Sequence, residues 1–360
     1  MEYRAGLEGV TAAETSLSLI DGEKGELLFR GRPAGDLVRD YEFEEAAYFL
    51  WYGKSPNANE SKDFKEVFRR NRDLPPYIKT IIDELPENMG MMDVLRTAVS
   101  AMSVDGEWPP TVDQALGLTA VIPTILAYRY RKIKGLPFVA PNDDLAHAAN
   151  FLYMLTGECP KSPHVRALNA YLVLTMEHGL SASTFSARVI TSTQADLYSA
   201  VTGAIGAMKG PLHGGAPSGV IDMLNEIGTK ENVETWIRNA LEQGTRLMGF
   251  GHRVYKTKDP RAVALSEVTK ELSGKDDWLD LAVEVERTAI RLLEEYKPGR
   301  RLFTNVEFYA AAVLRAVELP KDLYTPTFTS SRVVGWTAHA LEQAANNRIF
   351  RPKAAYIGPK

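Results

Sequence analysis

Cysteine is almost missing from the 360 residues: Cys159 stands alone. No disulfide can form within the chain, and a scaffold stapled by bridges is excluded. Cys159 lies in Gly157-Glu158-Cys159-Pro160 with no histidine near it in sequence, so a nucleophilic thiol is not expected. A reducing, cytoplasmic setting fits this usage. Long apolar runs are missing as well. Leu116 to Tyr128 is interrupted by Gly117, Thr119, Pro123 and Thr124 and is too short to span a bilayer. The start, Met1-Glu2-Tyr3-Arg4, has no apolar core of signal-peptide length. Neither a membrane segment nor a secretion signal is expected. Charge of one sign is not in excess either: the formal net charge is -4, which argues against nucleic acid as a partner. No fixed-period repeat and no low-complexity tract appears. What remains is an ordinary globular composition, 45% hydrophobic and 24% charged, long enough for one large domain and a smaller one.

Strand signals are confined to the beginning. Ser16 to Ile20 alternates polar and apolar, Asp21-Gly22 and Lys24-Gly25 supply turn chemistry, and Glu26 to Phe29 can return as a second strand. Beyond that hairpin the helical period dominates. Phe43, Ala46, Ala47 and Leu50 share a face, as do Trp278, Leu281, Ala282, Val285, Ala289 and Leu292, and again Leu265, Val268 and Leu272. Each stripe reads as core packing. Breaks fall at Leu74-Pro75-Pro76, Trp108-Pro109-Pro110, Gly135 to Asp144 and Lys297-Pro298-Gly299. The expected fold is all-α with a short N-terminal β-hairpin. One helix, from about Gln194 to Met208, carries small residues at Ala200, Gly203, Ala204 and Ala207. Such a face suits close approach of another helix, within the chain or from a second subunit.

Histidine is scarce too, six in all, yet three occupy glycine-marked turns: Glu177-His178-Gly179, Gly210-Pro211-Leu212-His213-Gly214-Gly215 and Gly249-Phe250-Gly251-His252-Arg253. Flanking glycines free the backbone and let a ligand come close. The residues after His213 read as a helix start, and the positive end of a helix dipole lowers an imidazole pKa. A neutral imidazole can then donate a hydrogen bond to a developing enolate. The histidine spacings suit no metal site, so no metal is expected. Gly249-Phe250-Gly251 lacks the third glycine and the strand of a dinucleotide fold. Arg253 to Arg261 is basic. Asp259-Pro260 is a helix start, which puts Arg261 on a first turn suited to anions, with Lys256 and Lys258 as possible phosphate partners. Ser331 can cap a helix starting at Arg332. Glu307, in Asn305-Val306-Glu307-Phe308-Tyr309, has apolar neighbours that would raise its pKa and make it a competent base. Taken alone, it is also what a surface helix carries.

Together these segments resemble the citrate synthase family. The five motifs around His178, His213, His252, Lys258-Asp259-Pro260-Arg261 and Glu307 occur in the family's order and spacing, and the likeness is densest from Glu177 to Pro352. The resemblance implies a large helical domain, residues 1–213 and 318–360, and a small helical domain, 214–317, that closes over the site. It implies a homodimer, and condensation of acetyl-CoA with oxaloacetate and water to give citrate and CoA. No permanently bound cofactor is implied, acetyl-CoA being a co-substrate.

By the same resemblance Glu307 would take a proton from the acetyl methyl group, His213 would hold the enol and His252 would polarise the oxaloacetate carbonyl. His178, Arg261 and Arg332 would bind oxaloacetate, Arg351 would reach over from the second subunit, and Lys256 and Lys258 would meet CoA phosphates. The family usually carries aspartate where this chain has Glu307, which lengthens the base by one methylene. Propionyl-CoA in place of acetyl-CoA, giving 2-methylcitrate, and a paralogue that binds acyl-CoA or a dicarboxylate without turnover are the competing readings.

Overall fold

The computed structural model describes residues 3–103, 107–214, 216–252, 254–270, 272 and 277–359. Gly215 and Arg253 of the histidine motifs lie outside the described residues. The expected hairpin is there, extended by a third strand. β1 (Ser18–Asp21) pairs antiparallel with β2 (Glu26–Phe29), which pairs with β3 (Arg32–Pro33). The Asp21 carboxylate accepts the Glu23 and Lys24 N–H groups and closes the turn. Leu17, Leu27 and Phe29 are buried beneath it.

Everything else that is regular is helical. α1 (Ala34–Asp40), α2 (Phe43–Tyr52), α3 (Ala58–Arg70), α4 (Pro76–Glu84) and α5 (Met91–Ala101) lead to the long α6 (Val112–Ile133). α7 (His147–Thr156) and α8 (Ser162–Thr175) precede a helical hairpin of α9 (Ala182–Ser192) and α10 (Leu197–Met208). Then come α11 (Ala216–Ile227), α12 (Val233–Glu242), α13 (Pro260–Lys270), α14 (Asp277–Tyr296), α15 (Val306–Ala316) and α16 (Tyr324–Ala345). The proline breaks behave as read: Pro76 opens α4, and Trp108-Pro109-Pro110 precedes α6. Among the described residues no helix is long and apolar enough to cross a membrane.

α6 and α16 are buried almost all round, which marks central helices rather than amphipathic surface ones. α16 packs against α6, α8, α9 and α10. The three apolar stripes face the core as expected, although Leu272 lies beyond the end of α13. In α14, the burial of Leu281, Val285 and Leu292 stabilises the fold by roughly 1.5–3 kcal/mol per large side chain.

Two boundary expectations change. The helix at Ser331 does not begin there: Ser331 and Arg332 lie in the middle of α16, whose N-cap is Leu323. Ser331 instead donates to the Leu172 carbonyl of α8, 2.6 Å away, so its hydroxyl ties two helices together. The small-residue helix starts at Leu197 behind an Asp196 cap rather than at Gln194, which has φ +66°. Ala200 and Ala204 are buried within the chain, and a Cβ on Gly203 would meet Ile190 of α9 at 2.1 Å. The small face therefore lets α9 and α10 touch.

Candidate active site

The loop carrying His252 cannot be built without its glycines. Gly249 has φ +84° and Gly251 +78°, and a Cβ on either would approach Phe308 or Leu302 to 2.9 Å. The loop pairs with the segment that enters α15: Gly251 N donates to Phe303 O at 2.8 Å and Asn305 N to Gly249 O at 2.9 Å. The Asn305 side chain donates to Gly251 O and accepts from Glu307 N, 2.9 and 3.0 Å. As the α15 N-cap, Asn305 thus fixes His252 and Glu307 with one side chain.

Asp259 performs a second double duty. Its carboxylate takes Arg261 in a fork, Nε to Oδ1 at 3.0 Å and Nη2 to Oδ2 at 2.8 Å, while Oδ2 also accepts from Val306 N at 3.1 Å. It therefore serves the starts of both α13 and α15. Burial and this pairing are compatible because the fork is bidentate and charge-assisted. Arg261 is buried, and the adjacent Asp259 holds its pKa above the ordinary value against the effect of burial.

His252 Nδ1 accepts two backbone N–H groups, from Val254 at 3.0 Å and Tyr255 at 3.1 Å. The proton of the neutral ring therefore sits on Nε2. Burial first, then Arg261, pushes the imidazole pKa down to about 4. Arg261 Nη2 lies 3.5 Å from His252 Nε2. Both are donors, so the two groups do not satisfy each other. His178, in the α8–α9 loop, stands beside them. Its ring centroid is 5.7 Å from that of His252, and its Nε2 is 3.1 Å from the Tyr255 hydroxyl. Burial, reinforced by Arg261, Arg332 and His252, keeps His178 well below the usual histidine pKa.

His213 follows α10 in a tight turn. The expected fall in its pKa occurs; its main cause is burial, with Arg332 second. Trp336 Nε1 donates to Ser183 Oγ at 3.0 Å, and Ser183 Oγ is 2.7 Å from His213 Nε2. Indole only donates, so the hydroxyl proton is left for His213, the shorter of its remaining contacts. The His213 ring then carries its proton on Nδ1. Phe328 meets the ring edge-on at 6.5 Å and lies beneath Arg332, 4.7 Å from the guanidinium.

Glu307 is half-buried at the start of α15. Burial raises its pKa to about 7, helped by Asp259 and opposed by Arg261 and Arg332. A helix N-terminus would ordinarily favour the carboxylate; desolvation wins here. Arg332 is fully enclosed in α16, donates from Nε to Thr175 O at 2.7 Å, and is pushed down to about 10 by burial. It remains a cation at neutral pH.

The fold therefore gathers His178, His213, His252, Arg261, Arg332 and Glu307 around one charged locus. Three expected residues stand apart. Arg351 is exposed after α16, lining a surface cavity with Phe185, Arg188 and Glu342. Lys256 and Lys258 are exposed on the loop before α13. A stronger basic feature went unread: Arg246, Lys297 and Arg300 line a cavity of about 470 Å³ that also touches Gly251 and His252. They are distant in sequence and belong to no motif. Ser183, Trp336, Asn305 and Tyr255 were likewise missed, because each acts through a partner distant in the chain: Ser183 on His213, Trp336 on Ser183, Asn305 on Gly251 and Tyr255 on His178.

The family model described as citrate synthase, C-terminal domain, matches residues 6–353. A citrate synthase of Haloferax volcanii is 43% identical over 100% of this chain and 97% of its own length. A 2-methylcitrate synthase 2 of Corynebacterium glutamicum is 40% identical over 99% and 95%. A citrate synthase from Thermoplasma acidophilum, solved as a ternary complex with carboxymethyl coenzyme A and oxaloacetate, superposes with a TM-score of 0.91 at 32% identity, covering 100% of this chain and 97% of that one. With whole-chain agreement in sequence and in fold, around the motifs that hold the three histidines and Glu307, the chain belongs to the citrate synthase family.

Proposed function

We propose that this enzyme condenses acetyl-CoA with oxaloacetate and water, releasing citrate and CoA. The observation that carries the reading is the gathering of a half-buried carboxylate of pKa about 7 with two imidazoles held neutral, His213 and His252, from loops earlier in the chain. Glu307 takes a proton from the acetyl methyl group, a step too unfavourable for a carboxylate alone. His213, its Nδ1–H set by Ser183, hydrogen-bonds the enol oxygen as it forms. His252 Nε2–H and Arg261 Nη2–H lie side by side, which suits an oxaloacetate carbonyl on His252 and the adjacent carboxylate on Arg261. His178 and Arg332 complete the dicarboxylate site. The enol carbon attacks the polarised carbonyl, and water then hydrolyses the citryl thioester. The cavity lined by Arg246, Lys297 and Arg300 suits CoA phosphates better than exposed Lys256 and Lys258 do.

The reading includes a small domain, residues 214–317, that closes on the large one and excludes water. Mutual packing of α11 with α15 and of α12 with α14 supports it. It also includes a homodimer in the cytoplasm, with Arg351 supplied by the second copy; the exposed C-terminal segment supports that role. Sedimentation should give about twice the chain mass of 39.9 kDa, and a fully active monomer would remove Arg351 from the site.

The second reading, propionyl-CoA as acyl donor, is favoured by the 40% identity to a 2-methylcitrate synthase. Thiol release with oxaloacetate and either acetyl-CoA or propionyl-CoA decides between them. Release without oxaloacetate points to a thioesterase, and binding without turnover to a non-catalytic paralogue.

A further inference from the structure

We propose that His339 is a positioning residue for this site: it links Arg188 to Glu177 and so holds the loop that presents His178. His339 and Glu177 are fully buried and Arg188 is 4% exposed. Such groups are costly inside a protein unless their partners are in place. Arg188 Nη1 lies 2.8 Å from His339 Nδ1, and guanidinium can only donate. Nδ1 is therefore the acceptor and the ring proton sits on Nε2. That nitrogen is 3.1 Å from Glu177 Oε1 and donates to it.

Arg188 sits on α9 but is clamped to α16, to Glu342 Oε2 at 2.8 Å and Gln343 Oε1 at 3.1 Å. It has little freedom to release the imidazole. At the other end, Glu177 Oε1 accepts Gly179 N at 2.5 Å and Ser18 Oγ at 2.8 Å. Glu177 and Gly179 flank His178, so one carboxylate closes the turn around it, with Gly179 at φ +60°. Gly335 leaves the room: a Cβ there would come within 2.5 Å of Glu177 Oε2 and 2.4 Å of Met176 O. The cation of Arg332 faces the same carboxylate and helps keep it ionised. His339 thus acts on substrate only through the His178 turn, which β1, α9 and α16 jointly brace.

The proposal rests on reading His178 as an oxaloacetate ligand, and the test separates the two. In the full-length enzyme, His339→Phe should raise the oxaloacetate KM by roughly tenfold, the loss of one charge-assisted hydrogen bond. The acyl-CoA KM should stay within about twofold by the same local argument. His339→Gln, which can still donate near the Nε2 position, should recover most of the effect. Should the Phe variant not fold, His339→Asn carries the comparison, since it can accept from Arg188 but is too short to reach Glu177. The double variant His178→Ala/His339→Phe should bind oxaloacetate no worse than His178→Ala alone, because both changes act through one group. A His339→Phe enzyme of lower thermal midpoint but parental oxaloacetate KM overturns the relay, as do multiplicative effects in the double variant. A His178→Ala enzyme with parental oxaloacetate KM overturns the underlying ligand reading instead.

Discussion

Glu307→Gln should make the protein more stable while disabling it, and the gain should depend on pH in a defined direction. Burial lifts the Glu307 pKa from 4.5 to about 7. In the unfolded chain the carboxyl ionises near its ordinary value; in the folded chain it stays protonated until pH 7. Its contribution to stability is full below pH ~4.5 and is lost as pH rises through ~7. At 1.36 kcal/mol per pH unit that interval is worth roughly 3 kcal/mol, and solvent at the open side of a half-buried group reduces it to ~1–3 kcal/mol. Glutamine keeps the shape without the charge. The stability difference, variant minus parent, should therefore grow from pH 5 to pH 7.5 and then level off, reaching a thermal-midpoint gap of roughly 2–5 °C. The assay is a thermal melt of both proteins across pH 5–9, alongside turnover. Turnover should fall by roughly 10²–10⁴-fold, the span for a lost general base. A flat difference curve, or one that favours the parent at pH 8, would falsify the assignment of a desolvated carboxylate, and near-parental activity in the Gln variant would return Glu307 to an ordinary surface position.

The same ionisation shapes the kinetics: kcat/KM should rise between pH 5.5 and 8.5 with a midpoint near 7, and His252, held at about 4, should add no break there. Ser183→Ala removes the proton donor to His213; kcat should fall about tenfold with the oxaloacetate KM unchanged, and an equal loss in both would mean that Ser183 supports the loop rather than the tautomer. Gly249→Ala forces a side chain into φ +84° and against Phe308, so a stability loss of ~1–3 kcal/mol is expected, with activity falling as His252 is displaced. A melt indistinguishable from the parent would show that the loop tolerates a Cβ there.

The parts of this enzyme that were legible in the sequence are those whose signal is local. The α2 and α14 stripes repeat at helical spacing. Asp259-Pro260 announces a helix start, and glycines bracket His178, His213 and His252. What stayed hidden depends on contacts across the chain. Ser331 looks like a cap because its neighbours do not reveal that α16 already runs through it, bonded to Leu172 of α8. The His213 pKa falls as foreseen, yet the cause is burial and a cation 119 positions later in the chain, Arg332. The cations Arg246, Lys297 and Arg300 converge near His252 only because the α12–α13 and α14–α15 connections meet there.

Glu307→Asp tests whether the surroundings have been shaped to the longer base. Glu307 is fixed at its backbone by Asn305, the residue that also fixes the His252 loop. Its carboxylate cannot be carried forward by a shift of α15 without disturbing His252, because the two share one cap. Removing a methylene therefore retracts the carboxylate by about 1 Å from a site whose other groups stay in place, and a misplacement of that size costs about 10²-fold in rate. Aspartate would also be drawn toward the helix N-terminus, which favours its ionised form, so the kcat/KM limb near pH 7 should move downward as the rate falls. A slower enzyme with a lowered limb is the expected outcome, measured as kcat/KM against pH for parent and variant. An aspartate variant as fast as the parent, with its limb unmoved, would show that the reach of Glu307 is not what sets the chemistry.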